Sequence, residues 1–80
     1  MSYGYSQKLV EANSKADAES LGVALGRFCI EREITATKVA KELGVSRMTV
    51  YNWFRGATLP TRANEELIRG YLVRFTKHRS

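Results

Sequence analysis

The sequence predicts an all-α domain of four or five helices with a helix-turn-helix at its centre. Apolar residues recur at three- and four-residue steps along most of the chain, which is the spacing that lines one face of a helix. No segment shows the two-residue alternation of a half-buried strand. With 80 residues, 44% of them hydrophobic, the chain has room for one small globular domain.

The first 14 residues are predicted to be a flexible or loosely docked arm, followed by the helical domain over residues 15–80. This segment contains Gly4 and several Ser and Tyr residues, and it shows no clear apolar period. Helical periodicity starts near Ala16. No repeat or interior linker divides the chain after that point.

The first predicted helix, from about Ala16, has an apolar face that includes two glycines. Gly22 and Gly26 each cost about 1 kcal/mol relative to Ala inside a helix, so we expect them where another helix comes close. Cys29 is expected to be a small buried side chain and not a reactive thiol. The apolar positions are Leu21, Ala24, Leu25, Phe28 and Cys29.

Two short helices joined by a turn at Gly44 form the distinctive unit of the sequence. Thr35 offers a hydroxyl cap to a helix over residues 36–43, and Gly44 suits the positive φ that ends it. The small side chain of Ala40 lets this helix cross the next one, over residues 47–55, at a steep angle. The exposed face of the second helix is then free to enter a DNA groove. The wedge between the two helices is predicted to be filled by Val39, Val45, Val50 and Trp53, with Phe54 also in the core.

A last helix is predicted to begin near Thr61 or Arg62. Glu65 and Glu66 lie in its first turns and basic residues lie near its end, which is the order that the helix dipole favours. Its apolar stripe exceeds what one small core needs, so we expect this helix to mediate self-association into a homodimer. The residues expected in that contact are Leu67, Tyr71, Leu72 and Phe75.

The net charge of +5 belongs entirely to the C-terminal part of the chain. Residues 1–46 carry six basic and six acidic side chains, whereas residues 47–80 carry seven basic and two acidic ones. Six of those seven cations are Arg, whose guanidinium fork suits phosphates and guanine edges. This asymmetry points to a polyanionic partner. A solvated basic face with no partner accounts for the charge alone equally well.

The composition also argues against several classes of protein. No apolar run approaches the ~18 residues that a membrane span needs. One cysteine and one histidine cannot form an internal disulfide or supply four zinc ligands, so we expect no metal, no cofactor and a reducing, cytoplasmic compartment. Paired carboxylates, a Cys–His pair and a Gly-rich phosphate loop are all missing from the sequence, so we do not expect an enzyme.

The segment from Ile34 to Gly56 closely resembles the helix-turn-helix of the Cro and phage-repressor family. Its Val-Ala, Leu-Gly-Val-Ser, Thr-Val and Asn-Trp groups stand at that family's positions, and Pro60 follows as it does there. The resemblance covers 23 contiguous residues, and the flanking helices fit it more loosely. It implies a sequence-specific regulator of double-stranded DNA, a repressor of phage, plasmid or bacterial origin, that reads the major groove with the helix over residues 47–55 and binds as a dimer.

The same resemblance implies a role for each matched position. Arg47, Met48 and Asn52 match the residues that reach base edges, where Arg47 suits guanine, Asn52 suits adenine and Met48 suits a thymine methyl. Where the family usually has a phosphate-binding Gln, this chain has Ala36. The residues expected to contact the DNA backbone are Thr35, Thr37, Lys38, Ser46, Thr49, Tyr51, Arg55 and Thr58.

An alternative from another class is a protein-interaction module that uses the same helix to bind a partner such as RNA polymerase. Salt dependence discriminates the two, because backbone-driven DNA binding weakens by orders of magnitude between about 50 and 200 mM salt. Independently of that choice, the alternative for Asn52 is a solvated polar residue that contacts no base.

Overall fold

The computed structural model describes residues 5–17 and 19–77, and these residues form five helices without a strand. The predicted all-α class is confirmed. Short loops join the helices, and α2 packs most extensively against α4, which is not its neighbour in sequence. The helices are α1 (Gln7–Lys15), α2 (Leu21–Arg32), α3 (Ala36–Leu43), α4 (Arg47–Phe54) and α5 (Arg62–Lys77).

Helix α1 replaces most of the predicted flexible arm, whose residues 1–4 lie outside the described part of the chain. Ser6 caps this helix, its Oγ accepting a hydrogen bond from the backbone N–H of Leu9 at 3.1 Å. Its buried positions follow one another at four-residue steps, Tyr5, Leu9 and Asn13. Because one of these is polar and one precedes the helix, the sequence shows too few apolar residues for the period to be recognised.

Helix α2 begins at Leu21, later than the predicted start near Ala16. Just before α2, the N–H of Ser20 donates to the carbonyl of Asp17 at 3.1 Å. Cys29 is fully buried on the inner face of α2, as predicted.

The two glycines of α2 allow the other helices to lie directly against its backbone. A Cβ at Gly22 would stand 2.8 Å from Cβ of Trp53, and one at Gly26 would stand 2.6 Å from Nδ2 of Asn13 and 2.9 Å from Cγ of Phe54. The predicted close approach is confirmed. The first partner belongs to α4 and the others to α1 and α4.

All five helices contribute residues to the core, and α2 and α3 each pack against both α4 and α5. Trp53 and Phe54 are both buried there, as predicted, and so is Ala40 at the crossing of α3 and α4. Of the residues predicted to fill the wedge between α3 and α4, Val39, Val50 and Trp53 are buried and Val45 is half-buried. The fully buried side chains of largest volume are Phe54, Leu25, Ile68, Val23, Val39, Val50 and Cys29.

Part of the face of α5 that was predicted to form a dimer packs inside the core of the domain. The prediction that Tyr71 lies in a dimer contact is therefore corrected. Tyr71 is only 2% exposed, and its ring packs edge-to-face on Phe75 with centroids 5.2 Å apart. Phe75 also contacts Phe28 of α2 at 5.1 Å. Leu72 is half-buried, while Leu67 is 47% exposed. The four residues therefore do not share one exposed surface, because the fold needs the aromatic pair to hold α5 against α2.

Candidate nucleic-acid interface

Three local hydrogen-bonding devices fix the turn between α3 and α4. The hydroxyl of Thr35 caps α3 by accepting from the N–H of Lys38 at 3.1 Å. Gly44 takes the left-handed conformation with φ 74° and donates its N–H to the carbonyl of Ala40. Ser46 caps α4 by accepting from the N–H of Thr49 at 3.0 Å. These are the devices that short helices need at their ends, and they explain why both helices start where the sequence predicts.

Helix α4 presents two chemically different faces. Its apolar residues Val50, Trp53 and Phe54 are buried. The three residues predicted to reach bases lie on its outer face: Arg47 is exposed, Met48 is 65% exposed and Asn52 is half-buried. A protruding polar face of this kind leaves the helix free to contact a groove. The base-contacting roles themselves stay predictions.

Arg55 orients the amide of Asn52. The guanidinium Nη2 donates to Oδ1 of Asn52 at 2.7 Å. Because a guanidinium has only donors, the amide oxygen must face Arg55 and the amide nitrogen must face away. Helix α4 ends at Phe54, one residue before its predicted end at Arg55. The outer face of α4 therefore presents mostly hydrogen-bond donors.

The residues predicted to contact the DNA backbone are all exposed or half-buried. Thr37 and Lys38 are exposed on the first turn of α3, and Thr58 is exposed in the loop after α4. Ala36, at the position where the resembling family has a phosphate-binding Gln, is buried at 1% exposure. Buried in this way, Ala36 packs in the core, and any anchor must come from its neighbours. The other residues predicted to contact the DNA backbone are Thr35, Ser46, Thr49, Tyr51 and Arg55.

Sequence reasoning missed a surface that lies beside α4. An open cleft separates the first two turns of α1 from the outer face of α4. The one sequence signal for this helix was Ser6 as a hydroxyl cap, with Leu9 and Val10 following at helical spacing. The residues that line the cleft are Ser6, Lys8, Leu9 and Ala12 from α1, and Met48, Tyr51 and Arg55 from α4.

Buried polar contacts fix α1 in this place. The amide Nδ2 of Asn13 donates to the carbonyl of Val23 at 3.1 Å and to that of Phe54 at 2.6 Å. The hydroxyl of Tyr5 donates to the carbonyl of Ile34, and burial raises its pKa well above the usual range. Hydrogen bonds of this kind are specific in direction, so α1 has one position relative to α4.

The C-terminal end of α1 is bound to α2. Nη2 of Arg27 donates to the carbonyls of Asn13, Ser14 and Ala16 at 3.3, 3.0 and 3.3 Å. A cation at this end also suits the negative end of the helix dipole. Both ends of α1 are thus held by the rest of the domain.

The cations of α4 and α5 differ in their surroundings. Arg74 of α5 pairs with Glu42 of α3 at 3.0 Å, the one ion pair among the residues that the structure describes. Arg69 lines a second cleft together with the acidic side chains Asp17, Glu19 and Glu65. The cleft beside α4, by contrast, has no acidic residue in its lining. Arg69 and Arg74 of α5 therefore have acidic neighbours, whereas the cations that line the cleft beside α4 have none in that lining.

In residues 5–17 and 19–77, no three His, Cys, Asp or Glu side chains are grouped so that they could hold a metal ion. Within the same part of the chain, none of the helices is long and apolar enough to cross a membrane.

One comparison with known proteins matches the segment that contains α3 and α4. A family model described as a homeodomain-like domain matches residues 23–58, which run from α2 through α4 into the following loop. No curated protein and no solved structure matches the chain. The family match supports a helix-turn-helix without specifying the Cro or phage-repressor type. Five helices around a capped α3–turn–α4 unit are consistent with a small helix-turn-helix domain, and the family match over residues 23–58 suggests DNA binding.

Proposed function

We propose that this protein is a sequence-specific regulator of transcription that binds double-stranded DNA with α4 in the major groove. One observation carries the proposal. The buried face of α4 is wholly apolar, and its outer face carries Arg47, Met48 and Asn52 away from the core. The major groove, about 12 Å wide, admits an α-helix and displays the edges of the base pairs to such side chains. Binding, and not catalysis, is the proposed role.

The chemistry of the outer face favours particular bases. Arg47 can donate to O6 and N7 of guanine, and the methyl group of Met48 suits the methyl of thymine. Asn52 can donate to a purine N7 through Nδ2. The bidentate contact with adenine also needs Oδ1 as an acceptor, and one of the two lone pairs of Oδ1 already accepts from Arg55. A donor-rich face of this kind matches guanine acceptors better than adenine.

The proposed backbone contacts surround α4. Lys38 and Thr37 are exposed on the first turn of α3, and they replace the anchor that Ala36 cannot provide. Thr58 and Arg55 stand at the other end of α4. Contacts to phosphate fix the register of the helix in the groove, and base contacts then supply selectivity.

The finer part of the proposal is a repressor of the Cro-like type from a phage, plasmid or bacterium, acting as a dimer in the cytoplasm. The likeness of residues 34–56 to that family supports the type. A single module contacts few base pairs, so two half-sites one helical turn apart would raise both affinity and selectivity. Leu67, 47% exposed on α5, and the half-buried Leu72 support self-association through that helix.

A protein-interaction module is the second candidate function. Met48, a large apolar side chain, is 65% exposed on α4. Exposed methionines are common on surfaces that bind proteins. A partner such as RNA polymerase would then occupy the face proposed here for DNA.

Selection of bound sequences from a random duplex pool tests both candidates. We expect the wild-type protein to enrich a two-fold symmetric consensus. Arg47→Ala should weaken binding to the selected site by about 5- to 150-fold and relax the preference at one base pair. Arg69→Ala is the matched control, because Arg69 is also exposed but lies beside acidic residues on α5. It should leave the preference unchanged.

Two results would overturn the proposal. If fluorescence anisotropy detects no binding to any duplex at about 50 mM salt, where phosphate contacts are strongest, DNA is not the partner and the protein-interaction candidate gains. If Arg47→Ala weakens binding equally on all sequences, Arg47 contacts phosphate and does not read a base.

A further inference from the structure

The cleft between α1 and α4 has the composition of an anion-binding surface. Its lining includes the cations Lys8 and Arg55 and the hydroxyl groups of Ser6 and Tyr51, and it includes no carboxylate. The positive end of the α1 dipole lies at the same place, and the first turn of α1 contains no acidic residue. Every charged or hydroxyl-bearing group in this lining can therefore favour an anion.

Lys8 stands where helix formation alone does not favour a cation. It is the second residue of α1, in the first turn, and the helix dipole opposes a positive charge there. A sequence that departs from local helix preferences commonly does so at a functional position. Lys8 is exposed and has no ion-pair partner among the described residues.

The α4 side of the cleft belongs to the proposed DNA interface. Met48, Tyr51 and Arg55 line the cleft and also form the outer face of α4. A duplex that holds α4 in its major groove must pass one of its two strands along each flank of that helix. On the flank that carries Tyr51, the strand meets α1.

We propose that α1 is a second DNA-binding element, in which Lys8 contacts a phosphate of the strand that borders α4. The inference rests on the proposed function and extends its surface to a helix from the part of the sequence with no net charge. Charge complementarity selects this occupant: two cations and a helix N-terminus, with no acid among them, suit a phosphate chain better than an apolar protein surface.

The docking of α1 makes such a contact effective. Asn13 and Tyr5 hydrogen-bond to carbonyls of α2, α4 and the loop before α3, so the backbone of Lys8 is already in place. DNA binding then needs to order only one side chain, which lowers the entropy lost on association.

The experiment compares Lys8→Ala with Lys15→Ala on the same helix, using the selected duplex and a scrambled duplex at several salt concentrations. Lys8→Ala should lower the slope of log Kd against log [salt] by about 0.9, the effect of one phosphate contact, and by the same amount on both duplexes. Lys15 is exposed at the other end of α1 and does not line the cleft. Its replacement should leave the slope unchanged.

The two variants also separate binding from stability. Replacement of Lys8 by Ala improves both helix propensity and the interaction with the dipole, so α1 should not be weakened. Lys15 lies in the last turn, where its charge favours the helix. A loss of binding caused by unfolding of α1 would therefore appear first in Lys15→Ala.

Each outcome decides between the proposals. If the wild type binds a consensus and Lys8→Ala keeps the full slope, α1 lies outside the interface and the proposed function stands. An equal drop in both variants would show a diffuse charge effect and would overturn the role of the cleft. If the wild type binds no duplex at low salt, the proposed function fails and the role of α1 fails with it.

Discussion

Gly26 offers a direct test of how closely α1, α2 and α4 pack. In Gly26→Ala the new Cβ would stand 2.6 Å from Nδ2 of Asn13 and 2.9–3.0 Å from the side chain of Phe54. Both distances are too short for real contacts, so a neighbour must move. Asn13 cannot move without losing its hydrogen bonds to the carbonyls of Val23 and Phe54.

The expected change in the free energy of unfolding follows from three effects. Ala favours a helix over Gly by about 1 kcal/mol. Overpacking costs about 1–3 kcal/mol, and a buried acceptor left without its donor costs about 1–3 kcal/mol. The net result is a loss of about 1–5 kcal/mol, comparable to the ~3–5 kcal/mol that the core of so small a domain supplies.

Gly70→Ala is the matched control for this substitution. Gly70 lies inside α5, and a Cβ there would meet no atom within 4 Å. The propensity gain is then unopposed, and we expect stabilisation by about 0.5–1 kcal/mol. Thermal unfolding followed by circular dichroism measures both variants, and each kcal/mol shifts the melting temperature of such a domain by about 4–8 °C.

The signs of the two shifts carry the test. Gly26→Ala should melt well below the wild type, and Gly70→Ala slightly above it. If Gly26→Ala melted at or above the wild-type temperature, α1 could not lie against α2 as described. The anchoring of α1 beside α4 would then lose its basis.

Two further predictions concern the orientation of Asn52 and the buried titratable groups. Arg55→Ala frees Oδ1 of Asn52, so selection from random duplexes should shift the preference at one base pair towards adenine; an unchanged preference would show that Arg55 does not set the orientation of the amide. Burial raises the pKa of Cys29 from 9.0 to about 12 and that of Tyr71 from 10.0 to about 12. The unfolded chain therefore loses these protons first, so these two groups should leave the melting temperature unchanged between pH 7 and about 8.5 and lower it as the pH rises from 9 towards 12. A melting temperature that stays level up to pH 11 would contradict the burial of both groups.

The helix-turn-helix could be predicted almost to the residue because its signals are local. Thr35 and Ser46 cap their own helices, and Gly44 ends α3 through its own φ. Each of these devices acts within four residues of chain, so the sequence alone displays it. The same holds for the apolar face of α4, whose spacing assigns Trp53 to the core.

Helix α1 could not be predicted in the same way, because what stabilises it is distant in sequence. Asn13 is 41 residues from Phe54, and Tyr5 is 29 residues from Ile34, yet each pair is joined by a hydrogen bond. A buried polar residue such as Asn13 looks like a surface residue until its partners are known. The cleft beside α4 was missed for this reason.

The division of α5 was likewise decided by packing. Periodicity placed Tyr71, Leu72 and Phe75 on an apolar stripe but gave no sign of which part another helix covers. Phe28 of α2 contacts Phe75, and the aromatic contact buries Tyr71. The apolar period of a helix indicates how wide its apolar face is, but only the neighbouring helices determine how much of that face is exposed to solvent.

By itself, the sequence determined that this protein has a capped α3–turn–α4 unit with an apolar inner face, since propensity, capping and period act over a few residues. The tertiary structure alone decided that an additional helix lies beside α4, and which side chains of α5 remain exposed. Those outcomes depend on contacts between segments tens of residues apart, whose geometry local patterns do not encode.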